Sequence, residues 1–291
     1  MVRVPVNRII PFSSVDGPGS RTAVFLQECN VDCRYCHNPE TRNLCTGCRE
    51  CVRVCPAHAL AYEQGQGGMS GRVLYYPEKC VFCDTCIRTC HYGSSPRIRQ
   101  MNAAEVFSEV ARQIPFIRGI TVSGGECMLH PDFLTELFAV CKKHMLHTLI
   151  DSNGTIPFMP FTELLTVTDG VMLDVKAYAE DEHRKVTGAG NKTVLENAIF
   201  LAEAGKLYEV RTVVADGLFD AEDTVRRTVR LLAGCSCGGV SALDTVRYKL
   251  ITYRENGVRE QYRIYQPPAP ERMEYLAEAA KEEGIKQVMI V

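Results

Sequence analysis

From residue 102 to the C-terminus the chain alternates between two hydrophobic rhythms, and this constrains its fold more than any other feature. "NAAEVFSEVARQI" has the amphipathic spacing of a helix. It opens on Asn102 with Glu105 three residues later, a pairing that caps a first turn from both sides. "GITVSGGE" follows as a strand ending in glycines. "PDFLTELFAVCKKHM" predicts a helix with Pro131 in its first turn, and "HTLIDSNG" and "DGVMLDVK" predict strands. "NKTVLENAIFLAEAG" is a helix stopped by Gly205, "LYEVRTVVADG" a strand and "DAEDTVRRTVRLLAG" a helix. "VRYKLITY", "APERMEYLAEAAKEEG" and "QVMIV" complete the series as strand, helix and strand. Upstream, "TAVFLQ" reads as a buried strand. Strands separated by helices imply a parallel sheet, closed as a barrel or doubly wound. In both, chemistry gathers where strands end. Ser123-Gly124-Gly125-Glu126, Asp151-Ser152-Asn153, Asp174-Val175-Lys176 and Arg211 fall at four such ends, so one shared mouth is expected.

Residues 42–99 break the rhythm. They hold two cysteine runs, a Gly-rich stretch ("EQGQGGMSGR") and few apolar segments, as an insert would. The expected organisation is therefore residues 1–41 and 100–291 as one body, with 42–99 inserted. Eleven of the fifteen cysteines lie between Cys29 and Cys90. A chain of 291 residues does not need disulfide staples, so the clustering points to metal or iron–sulfur ligation. A net charge of −2 gives no basic field for nucleic acid. No apolar run approaches the ~20 residues of a membrane helix. "MVRVPVNRIIPF" carries no secretory signal, so a cytoplasmic location is expected.

The two runs are Cys45, Cys48, Cys51, Cys55 (followed by Pro56) and Cys80, Cys83, Cys86, Cys90 (followed by His91). Both have the C-x2-C-x2-C-x3-C spacing of bacterial ferredoxins, in which the fourth cysteine serves the other cluster. The expected sets are Cys45, Cys48, Cys51 with Cys90, and Cys80, Cys83, Cys86 with Cys55. Zinc on C-x2-C pairs is the competing reading, but it leaves four thiols without a role.

Cys29, Cys33 and Cys36 form a third group, C-x3-C-x2-C. Three thiolates on a four-iron cluster leave one iron open, as in a catalytic site. With Tyr35 before the last cysteine, this motif resembles that of radical S-adenosylmethionine (SAM) enzymes. "SSVDGPGSR", "YCHNPET", "SGGE", "DSNGT", "MLDVK" and the tail from "QPPAPERMEYL" resemble the activating enzymes of glycyl radical enzymes, such as pyruvate formate-lyase activase. The resemblance runs through essentially the whole chain. The cysteine-rich insert narrows it to activases with two extra clusters.

The resemblance implies a partial (β/α)6 TIM-like barrel with an inserted ferredoxin-like domain. It implies three [4Fe-4S] clusters, and SAM bound to the open iron and cleaved by one electron. The resulting radical would take hydrogen from a glycine of a partner glycyl radical enzyme. A flavodoxin or ferredoxin would donate the electron, and the chain would act as a monomer without nucleic acid or membrane. Cys29, Cys33 and Cys36 carry the catalytic cluster in this reading. Tyr35, Cys36 and His37 border the adenine. Gly124 and Gly125 let backbone approach the cofactor's amino-acid end, and Glu126 accepts from its amine. Asp174 and Lys176 face one side of a strand, and Val175 between them is also expected at the cofactor. Arg211 holds ribose or bridges to Asp151. Asp151, Ser152, Met172 and Asp174 align with a monovalent-cation site. Asp16, Gly17 and Gly19 lie in a loop that would receive the partner. Two positions depart from the family. Cys127 replaces a proline and is expected only to fill its slot. Arg254 stands where a histidine usually contacts adenosine.

Two other readings compete. A ferredoxin-like electron carrier would leave Cys29, Cys33, Cys36 and the βα body unexplained. A radical enzyme acting on a small molecule or RNA would leave the "VDGPGSR" motif unused, and the charge disfavours RNA. Cys141 is expected as a buried thiol, and Cys235 and Cys237 are too close together for the usual metal pair.

Overall fold

The computed structural model describes residues 2–65 and 71–291; part of the Gly-rich stretch lies outside them. The strands are β1 (Val4–Ser13), β2 (Arg21–Leu26), β3 (Leu60–Glu63), β4 (Arg72–Tyr75), β5 (Arg99–Met101), β6 (Gly119–Gly124) and β7 (His147–Ser152). They continue with β8 (Gly170–Asp174), β9 (Leu207–Val214), β10 (Ser236–Cys237), β11 (Val240–Ser241), β12 (Arg247–Thr252) and β13 (Gln287–Ile290). Nine of them form one sheet in the order β13-β12-β9-β8-β7-β6-β2-β1-β5. From β2 to β13 all neighbours are parallel, each reached through a crossover. β1 and β5 are antiparallel additions at one side. The parallel series is thus one strand longer than a six-stranded barrel, and among the described residues nothing joins its two edges.

Every helix and strand expected from residue 102 onward forms. Asn102 and Glu105 make the reciprocal cap: each side chain accepts from the other's backbone N–H, both at 2.9 Å. The parallel strands are mostly buried because helices cover one face and the barrel interior the other. Phe133, Leu134, Leu137 and Phe138 from the helix Pro131–Lys143 pack with Ile120, Val122 and Ile150 of the sheet.

The insert contains the β3–β4 hairpin and two short helices, Glu50–Val54 and Thr85–Thr89. Among the described residues its buried apolar cluster is Cys51, Leu60 and Cys86, with Ala59 also buried. Backbone hydrogen bonds tie its entrance to the main sheet. Glu28 N–H donates to the Thr41 carbonyl at 2.7 Å, and Cys29 N–H to the Arg42 carbonyl at 2.9 Å. Ser95 N–H donates to the Glu40 carbonyl at 2.9 Å near its exit. No helix among the described residues is long and apolar enough to cross a membrane.

Candidate active site

The loop Cys29–Cys36 leaves the C-terminal end of β2 through Glu28, whose φ of 89° makes a sharp turn. Its backbone is pinned on the far side by Asp32 N–H to the Thr187 carbonyl at 2.8 Å and Arg34 N–H to the Val186 carbonyl at 2.9 Å. Both acceptors end the helix Glu180–Thr187, which the sequence reading passed over. That helix buries little apolar surface. Its signal was chemical: Glu180, Asp181 and Glu182 at the start, Arg184 and Lys185 at the end, then left-handed Gly188. A second brace comes from the C-terminal half. Arg259 pairs with Asp32 and donates to the Cys33 carbonyl at 3.0 Å, while Arg42 holds the other Asp32 oxygen at 2.6 Å.

Cys29, Cys33 and Cys36 surround an empty space of about 300 Å³ whose opposite wall is Gly124 and Gly125. Burial pushes the Cys29 thiol up to about 11 and the Cys33 thiol up to about 12. Free thiolates are therefore disfavoured here, and a metal that takes them as thiolates would relieve that cost.

Beside it opens a cavity of about 860 Å³ bordered by the cysteine loop and by the ends of β6, β7, β8, β9 and β12. The expected shared mouth is present. Asp174 and Lys176 project into it from one side of the same strand end, 2.7 Å apart. Burial opposes the Lys176 ammonium, but Asp174, Cys33 and Tyr35 together hold its pKa well above the usual lysine value. The ammonium lies 5.6 Å from the Tyr35 ring centroid. The Tyr35 hydroxyl is buried and has no hydrogen-bond partner among the described residues. Arg211 bridges to Asp151 at 3.0 Å, as anticipated, and also holds Glu209 at 2.6 Å. His37 lines the cavity with Nε2 3.0 Å from the Arg254 carbonyl.

Several expected contacts are not made. Glu126 is turned away from the cavity and fully buried. It accepts from Met128 N–H at 2.9 Å, Ser152 Oγ at 2.9 Å and Asn153 N–H at 2.7 Å, so it fastens β6 to β7 and no amine reaches it. Gly124 and Gly125 do line the cavity, but their glycine identity answers a different demand. A Cβ at Gly124 would stand 2.2 Å from Leu26 backbone, and one at Gly125 would stand 2.0 Å from the Glu28 carbonyl. They let β6 press against the root of the cysteine loop. Val175, between two cavity residues, points the other way into the core. The Arg254 side chain is exposed and absent from the lining; only its carbonyl takes part. The cation set is not assembled. The Ser152 hydroxyl is spent on Glu126, and Arg211 lies between Asp151 and Met172, 2.8 Å from the Met172 sulfur. Asp151, Ser152 and Asp174 of that set border the cavity, and Met172 does not. Cys127 fills a fully buried slot, as expected. The Asp16 loop sits before β2, at the strand end opposite the cysteine loop, and its charge still acts on Asp151 across the interior.

In the insert the two cysteine runs interleave. Cys45, Cys48, Cys51 and Cys90 line one empty space of about 300 Å³. Cys55, Cys80, Cys83 and Cys86 line another of about 340 Å³. Among the described residues no three Cys, His, Asp or Glu side chains close on a single ion. Zinc would draw four sulfurs to ~2.3 Å from one point. These thiols are set around something larger, and the donor set fits two four-iron clusters.

The sequence profile of the radical SAM superfamily matches residues 77–232, more than half of the chain. The chain belongs to the radical SAM superfamily. Profiles of a 4Fe-4S dicluster domain and a 4Fe-4S single-cluster domain match residues 44–94 and 15–54 of this radical SAM protein. Among its relatives is the indoleacetate decarboxylase activating enzyme of Tractidigestivibacter scatoligenes, 28% identical over 96% of this chain and 94% of that enzyme. Another is the pyruvate formate-lyase-activating enzyme of Streptococcus mutans, 29% identical over 92% of this chain and 87% of that enzyme. QueE from Escherichia coli shares the radical SAM fold, with a TM-score of 0.54 at 13% identity over 99% of this chain and 94% of QueE.

Proposed function

We propose that this chain activates a glycyl radical enzyme, with residues 42–99 as an inserted two-cluster domain on a catalytic body formed by 1–41 and 100–291. The observation that carries the reading is the three-thiol loop facing a cavity that holds a buried ammonium, Lys176, and an unpartnered buried hydroxyl, Tyr35. The full-length relatives that are activating enzymes support it.

When bound to a four-iron cluster and given one electron, SAM supplies methionine and a 5′-deoxyadenosyl radical, which becomes 5′-deoxyadenosine on taking hydrogen from a glycine Cα. The chain's own residues do the rest. Cys29, Cys33 and Cys36 would hold a four-iron cluster through three thiolates, leaving a position for the cofactor. Lys176, kept charged by Asp174, stands ready for a carboxylate or ribose oxygen. Tyr35 and His37 border the adenine, and the Arg211–Asp151 pair fixes the wall beneath. A monovalent cation would find oxygen donors on the cavity wall at Asp151, Ser152 and Asp174. The partner's glycine segment enters from the Asp16 end. The protein works as a cytoplasmic monomer, fed by a flavodoxin or ferredoxin through the insert's two clusters.

The test is anoxic purification followed by iron analysis and turnover. Three four-iron clusters predict about 12 iron per chain. Dithionite and SAM should yield 5′-deoxyadenosine, and adding a glycyl radical enzyme should yield a glycyl radical signal. If no 5′-deoxyadenosine forms with full iron present, the reading fails.

A further inference from the structure

The insert is built from two halves offset by 35 residues, Cys45 matching Cys80 and Cys55 matching Cys90. The geometry repeats with the sequence. Gly47 and Phe82 occupy matching positions with φ of 72° and 52°, and Arg49 and Asp84 follow with 73° and 59°. Ala59 N–H meets the Cys55 sulfur at 3.3 Å, and Ser94 N–H meets the Cys90 sulfur at 3.4 Å. One matched pair breaks the likeness. In the first half Arg49 stacks on Tyr62, 3.8 Å from the ring centroid. In the second half the same two positions are Asp84 and Arg97, joined by an ion pair of 2.6 Å.

The exchange brings an ion pair to one cavity, with the Arg97 guanidinium the more buried member and Asp84 the more exposed. Arg97 is largely buried, lines the space among Cys55, Cys80, Cys83 and Cys86, and lies 5.7 Å from the Phe82 ring centroid. Arg49 borders the space among Cys45, Cys48, Cys51 and Cys90, but its guanidinium is committed to Tyr62, and Glu50 stands beside it. Around Cys51 the neighbouring charges are other thiols. Around Cys86 the first neighbouring charge is Arg97.

We propose that Arg97 makes the two insert clusters electrochemically unequal, holding the one on Cys55, Cys80, Cys83 and Cys86 at the higher potential. Hydrogen bonds and charge near the sulfurs set the potential of such clusters, and a cation favours the reduced, more negative state. The inference rests on the reading that the insert holds two clusters. A cluster at higher potential with exposed Val81, Phe82 and Cys83 at its rim accepts the single electron arriving from a low-potential donor protein.

The test is an EPR-monitored redox titration of the anoxic full-length protein, with Cys83→Ser identifying the signal of that cluster. Arg97→Gln should lower its midpoint by a factor of about ten in the reduced-to-oxidised ratio, about 59 mV for one electron. The other insert cluster and the cluster on Cys29, Cys33 and Cys36 should not move. Arg97→Lys should stay near wild type. Asp84→Asn, which removes the counter-charge, should raise the same midpoint; it decides the matter if Arg97→Gln loses iron. Full iron content with no shift, an equal shift of both insert clusters, or a downward shift in Asp84→Asn overturns the inference. Wild-type iron of about four per chain overturns this inference and the two-cluster reading together.

Discussion

Glu126 and Lys176 are both buried and ionisable, past the ends of β6 and β8, yet they do opposite work. Glu126 satisfies three protein donors and sees no cavity; Lys176 sees the cavity and has one protein partner. Glu126→Ala leaves those donors unpaired, at ~1–3 kcal/mol for each group abandoned without water. Its melting temperature should fall by several degrees while SAM affinity per folded molecule is unchanged. Lys176→Met should melt near wild type and lose at least about tenfold in affinity, read by anoxic equilibrium dialysis. Burial lifts the Glu126 carboxyl to about 7 from an ordinary 4.5. A raised folded pKa means that its stabilising share is complete below about 4.5 and is lost as pH rises through about 7. Melting of wild type relative to Glu126→Gln should therefore decline across that interval; a parallel pair of curves would refute the assignment. The sequence made Glu126 and Lys176 look alike, as polar residues just past apolar strands. Direction was not legible, because past a strand end the chain turns and the alternation that sorts faces no longer applies. Val175, expected at the cofactor, instead packs into the core one residue past the end of β8.

At the scale of elements, the glycines after β6 act on a neighbour. Gly125→Ala would drive a methyl into the Glu28 carbonyl, at the root of the cysteine loop. The loop must shift or the sheet must part. Cys29 is the thiol next in line, so the variant should lose about four iron per chain and keep the rest, measured by iron and sulfide analysis. Retention of full iron would show that the wall yields instead. The regular βα body was readable because each helix and strand carries its own period and its own stop. β1 was not, because "VPVNRIIPFS" mixes two prolines with polar residues and shows no period-two burial, with Val4, Pro5 and Val6 all buried beside β5. Arg259 was unreadable too. Its use depends on a contact more than two hundred residues away, on Asp32 and the Cys33 carbonyl.

Taken whole, the molecule has two very different sources of stability. The barrel buries dozens of apolar side chains in one continuous core. Among its described residues the insert clusters three, of which two are cysteines. A module of this size without an apolar core usually depends on its metal. Anoxic chelation should therefore unfold residues 44–94 while the barrel persists. Hydrogen exchange would show rapid labelling of the insert against continued protection in β6, β7 and β8. Uniform loss of protection would mean that the two bodies share one stability. That contrast was visible in composition, since the apolar rhythm stops where the cysteines begin.

The crossing of Cys55 and Cys90 has a consequence of its own. Each half of the insert lends one finger to the other's grip, so neither can let go by itself. An injury to a single sulfur, such as oxygen striking Cys55, falls on the cargo of the opposite hand while its own three neighbours stay closed. The module is thus interlocked: it is kept or forfeited as a pair.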